Sequence, residues 1–508
     1  MSQFDTSNKN HFLFQTEELE FHILGGLSTY SMDRLRVTLK VNRTEDEFNA
    51  LRHNLDLYNH NGVEKFVRRI AEYLGIGTGI IRRSLQELIH YLENYRLEIL
   101  DLAEEEEAEE YLLEKKERRS AMDFLKSKHL LKNTNKYIEQ SGVIGEVGNR
   151  LLMYLIFTSR KMENPLHCVS FGSSGSGKTH LQSKVADLIP EEERLSLTSL
   201  SANSFYYFKR NELKNKLILI EDLDGADDVL YPLRELQTKK RISKSVVQKS
   251  MRGQGKTTNL VVEGPVCVSG CTTKESLYED NSNRSFLLYI DESEEQDERI
   301  MSYQRRASAG KISIEDELSA AQLLCNVQRL LQPIRVINPF AEYLSLPSAV
   351  FKPRRTNAHY LQFIEAVTFY HQHQRQKLYD EQTGEEYIET TLDDIKMAND
   401  LIKNILLRKS DSLNGVTRNY LEKLKTYLRM KKEEMFTNSE IRKEFRIAES
   451  TLRRYHTLLV QEGYIKKQET AVGSSFSYVI VDVEEFSDLE KGINKALDVC
   501  LESLLIEE

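Results

Sequence analysis

The chain has 508 residues, of which 40% are hydrophobic and 29% charged, and its formal net charge is −9. This length exceeds what one hydrophobic core supports and predicts about two to four domains. The sequence has no apolar run of membrane-spanning length, no signal-peptide pattern and no CxxC pair, which argues against a membrane protein, a secreted protein and a zinc ribbon. We therefore expect a soluble cytoplasmic protein, and the acidic balance still permits locally concentrated basic groups that bind nucleic acid.

The first 118 residues predict an α+β domain with a helical linker. The stretch His11–Val41 is strand-like, and Leu35–Val41 alternates apolar and polar residues as a half-buried strand does. From Gly62 to about His129, apolar residues recur at helical spacing. The acidic run Ala103–Glu110 fits a binding tail or a solvated helical linker, and we favour the linker.

A phosphate-binding loop is predicted at residues 172–179, which match the pattern G-x-x-x-x-G-K-[ST]. Its residues are Gly172, Ser173, Ser174, Gly175, Ser176, Gly177, Lys178 and Thr179. The apolar run Leu166–Phe171 predicts the strand before the loop, and Thr179–Leu188 predicts the helix after it, which disfavours a chance glycine-rich turn. We expect Lys178 to reach the terminal phosphates of ATP and the Thr179 hydroxyl to hold Mg²⁺.

Two carboxylates follow a second apolar strand about forty residues after the loop. The strand is Leu217–Ile220, and Glu221 and Asp222 come directly after it. Such a strand could simply end in exposed acids, but its distance from the loop favours a catalytic pair. We assign Glu221 to Mg²⁺ and Asp222 to the attacking water, although the more usual order is Asp followed by Glu.

A third strand, Pro265–Thr273, ends in hydroxyl residues. Thr272 is the candidate for contact with the γ-phosphate or the water, and Thr273 is the second choice. The two cysteines of this strand, Cys267 and Cys271, are expected to be buried rather than redox-active.

An inserted β-hairpin is predicted just before that strand. Leu230–Lys240 has a helical pattern, after which Ser245–Met251 and Thr257–Glu263 read as paired strands around a glycine-containing turn. A basic tip suits contact with a phosphate backbone, although charged tips also occur on ordinary surface hairpins. The basic residues expected near the tip are Lys249, Arg252 and Lys256.

The C-terminal third predicts two further parts. Residues 316–410 have an all-helical pattern, and residues 411–485 have the layout of a winged helix, with two short helices and two strands. Arg453 and Arg454 lie on the presumed recognition helix and are candidates for contact with duplex DNA. A winged helix that docks a protein is the alternative.

The order of these elements resembles the AAA+ clade that carries a hairpin before its sensor strand, including minichromosome maintenance helicases and viral superfamily-three helicases. The segment Leu233–Lys244 resembles the helix and hairpin entry of the minichromosome maintenance type. Asn283–Asp291 resembles that family's arginine-finger segment, but Ser285 separates the arginine from the phenylalanine. Pro353–Thr356 resembles its second sensor, where Arg354 and Arg355 compete for the role and we assign Arg355.

A closer resemblance is to the helicase portion of helicase–primase proteins from bacterial mobile elements. It is carried by Gly145–Asn149, Ser159–Lys161 and Phe351–Arg355. The sequence lacks a zinc-binding cysteine cluster and a convincing acidic set for primer synthesis, so we expect a stand-alone motor with a separate primase or other replication protein as a possible partner.

The resemblance implies an α/β AAA+ P-loop core, with a parallel sheet and helices on both faces, in a six-membered ring that binds ATP between subunits. Arg284 would then act on the neighbouring subunit's γ-phosphate, and the hairpins would line a channel for single-stranded DNA. The implied function is an ATP-dependent DNA helicase or translocase in replication of a mobile element. The alternative is a nucleotide-switched DNA-binding regulator, a loader or a phage-defence ATPase without unwinding.

The expected domain organisation follows from these assignments. The ranges are an N-terminal α+β domain at 1–118, an AAA+ core at 119–315, a helical lid at 316–410, a winged helix at 411–485 and a C-terminal helical tail at 486–508.

Overall fold

A computed structural model describes most of the chain and divides it into two compact units, Met1–Leu112 and Leu113–Glu508. Each unit has hydrophobic cores of its own. The described residues are 3–8, 11–27, 34–44, 46–106, 113–197, 203–224, 229–249, 255–273, 284–346, 353–411, 413, 415–469, 476–481 and 484–507.

The first unit is an antiparallel five-stranded sheet with two helices. Its strands pair in chain order and are β1 (Gln3–Asn8), β2 (His11–Gln15), β3 (Leu19–Leu24), β4 (Arg36–Arg43) and β5 (Asp46–Asp56). The helices are α1 (His60–Leu74) and α2 (Thr78–Glu106). Alternate residues of β3, such as Phe21 and Ile23, are fully buried, as one face of a sheet requires. The strands β1 and β5 lie outside the stretch in which the sequence predicted strands.

The second unit is built on a five-stranded parallel sheet in the order β12-β6-β11-β8-β7. Its strands are β6 (Cys168–Phe171), β7 (Arg194–Leu197), β8 (Lys216–Ile220), β11 (Val266–Thr272) and β12 (Phe286–Tyr289). The helices of this unit that precede β7 in the chain are α3 (Lys115–Leu125), α4 (Leu130–Gln140), α5 (Val147–Thr158) and α6 (Lys178–Ala186). In β8, Leu217 and Leu219 belong to one hydrophobic core, whereas Ile218 and Ile220 belong to another. The sheet is therefore buried on both faces, as predicted for a P-loop α/β fold.

The predicted hairpin is present as a separate two-stranded sheet. It follows α7 (Leu230–Lys239) and consists of β9 (Arg241–Lys249) and β10 (Gly255–Glu263), which pair antiparallel from Arg241 opposite Glu263 to Lys249 opposite Gly255. Only Gly264 and Pro265 separate β10 from β11.

The expectation that residues 316–410 are all helical is wrong. The helices are α8 (Glu294–Ser308), α9 (Ile314–Leu330), α10 (Pro353–Tyr370) and α11 (Leu392–Ser410). Between them lies a small sheet of β13 (Arg335–Ile337), β15 (Glu386–Glu389) and β14 (Leu378–Tyr379), in that spatial order. A tight turn makes the β14–β15 pair possible, because the Asp380 carboxylate accepts hydrogen bonds from two backbone N–H groups and Gly384 adopts φ 71°.

The chain ends in a small three-stranded sheet with helices. The elements are α12 (Gly415–Lys431), β16 (Met435–Thr437), α13 (Asn438–Phe445), α14 (Glu449–Gln461), β17 (Ile465–Glu469), β18 (Phe476–Ile480) and α15 (Glu485–Glu507). The strand order is β16-β18-β17. The Thr437 hydroxyl caps α13 by accepting a hydrogen bond from Glu440 N.

Among the helices of the described residues, none has the length and apolar character that a bilayer crossing demands.

A glycine-to-alanine pair tests the packing of the central strand. A Cβ on Gly270 would stand 2.6 Å from Leu223 Cδ1, whereas nothing lies within 4 Å of a Cβ on Gly148 in α5. We expect Gly270→Ala to destabilise the second unit by about 1–3 kcal/mol and to lower its calorimetric unfolding temperature. Gly148→Ala should be neutral or stabilising, since alanine favours a helix. Equal unfolding temperatures for the two variants would contradict the close approach.

Candidate functional site

The phosphate loop joins β6 to α6 and curls around the Lys178 side chain. Gly175 and Gly177 adopt φ 84° and 93°, a region that favours glycine, so the loop can turn sharply at both positions. The Lys178 ammonium donates hydrogen bonds to Gly172 O (2.9 Å) and Ser173 O (2.6 Å). The loop therefore holds its own lysine at the N-terminus of α6, where an anion is favoured.

The donor groups of this loop fit a phosphate ligand. The Ser176 Oγ is buried without a hydrogen-bond partner among the described residues, and such a group ordinarily finds one. A side chain on Gly175 or Gly177 would meet no atom within 4 Å, which leaves room for a ligand to approach the backbone. One donor is already engaged, because Ser173 N donates to Glu292 Oε1 at 2.6 Å.

The two predicted carboxylates lie at the carboxyl end of β8, and both Glu221 and Asp222 are exposed. Asp222 Oδ1 accepts a hydrogen bond from Asp224 N at 2.8 Å, which fixes the turn after the strand.

Thr272 lies at the end of β11, where it is bound to a carboxylate that the sequence reasoning missed. Its hydroxyl donates to Asp224 Oδ1, and Asp224 Oδ2 accepts from Thr273 N (3.2 Å) and Thr273 Oγ1 (2.7 Å). Asp224 therefore joins the ends of β8 and β11. The available signal was the acid at Asp224, two residues beyond Asp222, with the buried Leu223 between them.

Cys271 precedes Thr272 in β11, and its thiol responds to the charges of the site. Burial raises its pKa to about 12; a hydrogen bond to Thr179 and the charge of Lys178 oppose this, while Asp222 and Glu221 add to it. Cys271 Sγ also donates to Gln182 Oε1 at 3.1 Å. The charges of Lys178 and of both carboxylates thus act on one thiol, and Cys271 is buried as predicted.

Arg284 lies two residues before β12, at the opposite end of the sheet from the phosphate loop. The register sets Phe286 opposite Cys168 at the start of β6, whereas the loop follows the other end of that strand. The Arg284 Nε donates to Thr238 Oγ1 in α7 at 3.1 Å. This placement separates Arg284 from the phosphate loop of its own chain.

The two competing arginines of the predicted second sensor are both exposed in the first turn of α10. Within the described ranges, neither Arg354 nor Arg355 makes a hydrogen bond or ion pair with the phosphate loop.

The candidates for DNA contact fall into two groups. Lys249 ends β9 and Lys256 is the second residue of β10, so the backbone of both lies next to the hairpin tip, while Arg252 falls outside the described residues. On α14, Arg453 and Arg454 are exposed. Arg453 pairs with Glu449 at 2.6 Å, an exposed contact of the kind that contributes little to stability.

Comparison with known proteins identifies the domain around the loop. The family described as "MTBMA_p00010 P-loop domain" matches residues 113–332, which contain the phosphate loop, β8, β11 and the hairpin. The second unit carries a P-loop nucleotide-binding domain. Its fold and its loop fit ATP and Mg²⁺ as ligands.

Two further similarities are more distant. The "Uncharacterized protein MTBMA_p00010" of Methanothermobacter marburgensis is 24% identical over 311 residues, which cover 59% of this chain and 38% of that protein. The chain thus spans well under half the length of that relative. A chain from the "Structure of Drosophila ORC bound to DNA" is 13% identical and covers 77% of this chain and 94% of its own length. Its TM-score of 0.20 does not indicate a shared overall fold.

Asp224 offers a test of the site that is independent of the loop. We expect Asp224→Asn to slow ATP hydrolysis by about 10- to 100-fold, because the hydrogen bonds that hold Thr272 and Thr273 lose their charged acceptor. Nucleotide affinity should stay near that of the wild type, since the Asp224 carboxylate holds the two hydroxyl residues at the end of β11. Steady-state turnover and equilibrium nucleotide binding measure the two effects.

The matched control is Asp187→Asn, which removes an exposed carboxylate that pairs with Arg194 just beyond α6. Equal turnover in the Asp224 and Asp187 variants would exclude a positioning role for Asp224.

Proposed function

We propose that this chain is an ATP-driven DNA translocase or helicase that works as a ring of identical subunits, six by resemblance, with single-stranded DNA in its channel. The observation that carries the proposal is the connection between the hairpin and the nucleotide site. Strand β10 leads through two residues into β11, and the far end of β11 holds Thr272 beside the carboxylates. A change at the site can therefore reach the hairpin through one short, buried strand.

The roles of the site residues follow from their positions. The loop from Gly172 to Thr179 would hold the phosphates, and Thr179 and Glu221 would hold Mg²⁺. Asp222, exposed beside them, would orient and deprotonate the attacking water. The hydrogen bond from the Thr272 hydroxyl to Asp224 would keep Thr272 in place. ATP and Mg²⁺ supply the phosphoanhydride and the charge neutralisation that this chemistry needs.

Arg284 fits a role in the neighbouring subunit. A guanidinium at the amino end of the sheet is remote from its own phosphate loop, but it can face the loop of the next subunit in a ring. Arg355 at the start of α10 is the proposed second sensor.

We also propose the finer assignments that the resemblance implies. These are an AAA+ core of the minichromosome maintenance type, a lid around α9–α11, a winged helix at 411–485 and service in replication of a mobile element with a separate primase or other replication protein. The helix–turn–helix of α13 and α14, followed by the β17–β18 pair, supports the winged helix, and Arg453 and Arg454 support its contact with DNA.

The second candidate is a nucleotide-switched DNA-binding regulator, loader or phage-defence ATPase without unwinding. The exposed arginines of α14 favour it, because they would bring the protein to duplex DNA without any movement of the hairpin.

A strand-displacement assay separates the two candidates. Under the helicase proposal, displacement of a labelled strand requires ATP and is lost both in Lys178→Ala and in the Arg252→Ala/Lys256→Ala double variant. The hairpin variant should retain ATP hydrolysis, because Lys256 lies at the end of β10 that is remote from β11. Hydrolysis with ring assembly but no displacement by the wild type would favour the regulator.

Mixed rings test the placement of Arg284. Arg284→Ala should lower ATP turnover by roughly 10³-fold or more while nucleotide binding stays nearly intact. Mixing Arg284→Ala with Lys178→Ala subunits should restore part of the turnover, since a wild-type loop then faces a wild-type arginine. Full activity of Arg284→Ala alone would refute the assignment, and absence of recovery in mixed rings would refute action between subunits.

A further inference from the structure

A cluster of exposed aromatic side chains lies at the root of the hairpin. Tyr207 is 70% exposed and Tyr231 is 62% exposed, values that are unusual for side chains of this size. Tyr207 ends a short helical segment, Ser204–Tyr207, that packs against both hairpin strands, and Tyr231 lies in the first turn of α7.

A lysine ammonium lies near the ring of Tyr206, the residue before Tyr207. The Lys244 ammonium on β9 lies 5.4 Å from the centroid of the Tyr206 ring and donates a hydrogen bond to Asn203 Oδ1. Burial raises the pKa of the Tyr206 hydroxyl, and the charges of Tyr231 and Glu235 add to the effect, so these three side chains lie together. Lys239 pairs with Glu235 at 2.5 Å, which offsets the carboxylate near the rings.

The surrounding charge is strongly positive, in contrast to the rest of the protein. Residues 203–216, 230–249 and 255–263 contain eleven Lys and Arg but only three Glu and no Asp, whereas the whole chain carries a net charge of −9. Exposed aromatic faces among cations suit single-stranded nucleic acid, because bases stack on the rings and phosphates pair with the cations. A protein partner of ordinary composition would not require this concentration of positive charge.

We infer that the tyrosine surface, defined as Tyr206, Tyr207, Tyr231 and Lys244, binds single-stranded DNA by stacking bases on Tyr207 and Tyr231. The inference rests on the proposed function, and it adds a base-contacting surface to the basic hairpin tip. Lys244 fixes the Tyr206 ring and supplies a positive charge to the adjacent phosphate. The contact reads no particular sequence, since every base has an aromatic face.

The test is equilibrium binding of a labelled thymidine oligonucleotide to the full chain, measured by fluorescence anisotropy without hydrolysable nucleotide. Tyr207→Ala and Tyr231→Ala should each weaken binding by about 5- to 150-fold, whereas Tyr207→Phe and Tyr231→Phe should bind like the wild type. An oligonucleotide of abasic sites should bind wild type and Tyr207→Ala equally. Lys244→Gln should reduce the slope of log affinity against log salt by about 1, a slope that the tyrosine variants leave unchanged.

The matched control is Tyr379→Ala, which removes another tyrosine that is 65% exposed but lies on β14 in the small sheet. Tyr207 and Tyr231 variants that bind like this control would overturn the inference. The inference would also be overturned if these variants changed subunit assembly in sedimentation experiments but kept their DNA affinity. The surface would then be a contact between copies of the chain. Because binding is measured without hydrolysis, an absence of ATP-dependent displacement would refute the motor function and leave this result standing.

Discussion

The parallel pairing of β11 between β6 and β8 is the constraint on which the site depends. All seven residues of β11 are buried, and the strand pairs with β8 along Val266–Gly270 and with β6 along Ser269–Thr272. Parallel strands bring their carboxyl ends to the same edge of a sheet, so the phosphate loop, the hydroxyls and the carboxylates must converge there. A polar contact between α6 and the sheet supports this position, because Gln182 of α6 donates to Ser269 Oγ at 2.9 Å.

The distribution of charge explains how an acidic chain can be suited to a polyanion. The net charge of −9 disfavours non-specific coating by nucleic acid, and the excess of Lys and Arg is concentrated around one hairpin. Some of these cations form ion pairs where β9 begins and β10 ends. Glu263 accepts from Arg210 at 2.8 Å and lies 3.9 Å from Arg241. In the proposed function, the basic residues that the sequence predicts near the hairpin tip, Lys249 and Lys256 among them, would contact the ligand.

Sequence patterns predicted the elements that form through residues close to each other along the chain. The phosphate loop lies between β6 and α6, where the sequence predicted a strand and a helix. The features that the sequence did not predict form through contacts between residues that are far apart in the chain. Strand β5, Asp46–Asp56, has a polar sequence and forms by pairing with β4, and the strands of the small sheet are only two to four residues long. The role of Asp224 was missed for the same reason, because its partner Thr272 is 48 residues away.

Two strands on either side of β6, β11 and β12, connect the opposite edges of the sheet, and each has a different consequence for the proposed motor. Strand β11 links the hairpin to Thr272, and its root is fastened by backbone hydrogen bonds of 2.7 Å from Gly264 N to Lys240 O and from Asn215 N to Pro265 O. Strand β12 links the segment of Arg284 to that of Glu292, which contacts the loop at Ser173. Because seven buried residues cannot shift independently of the strands beside them, a movement at the carboxyl edge is transmitted to the hairpin as a displacement of the whole strand. A phosphate that competes with Glu292 for the loop would act on β12 as well, so in the proposed motor nucleotide binding would reach the hairpin through β11 and the Arg284 segment through β12, two strands that both pair with β6.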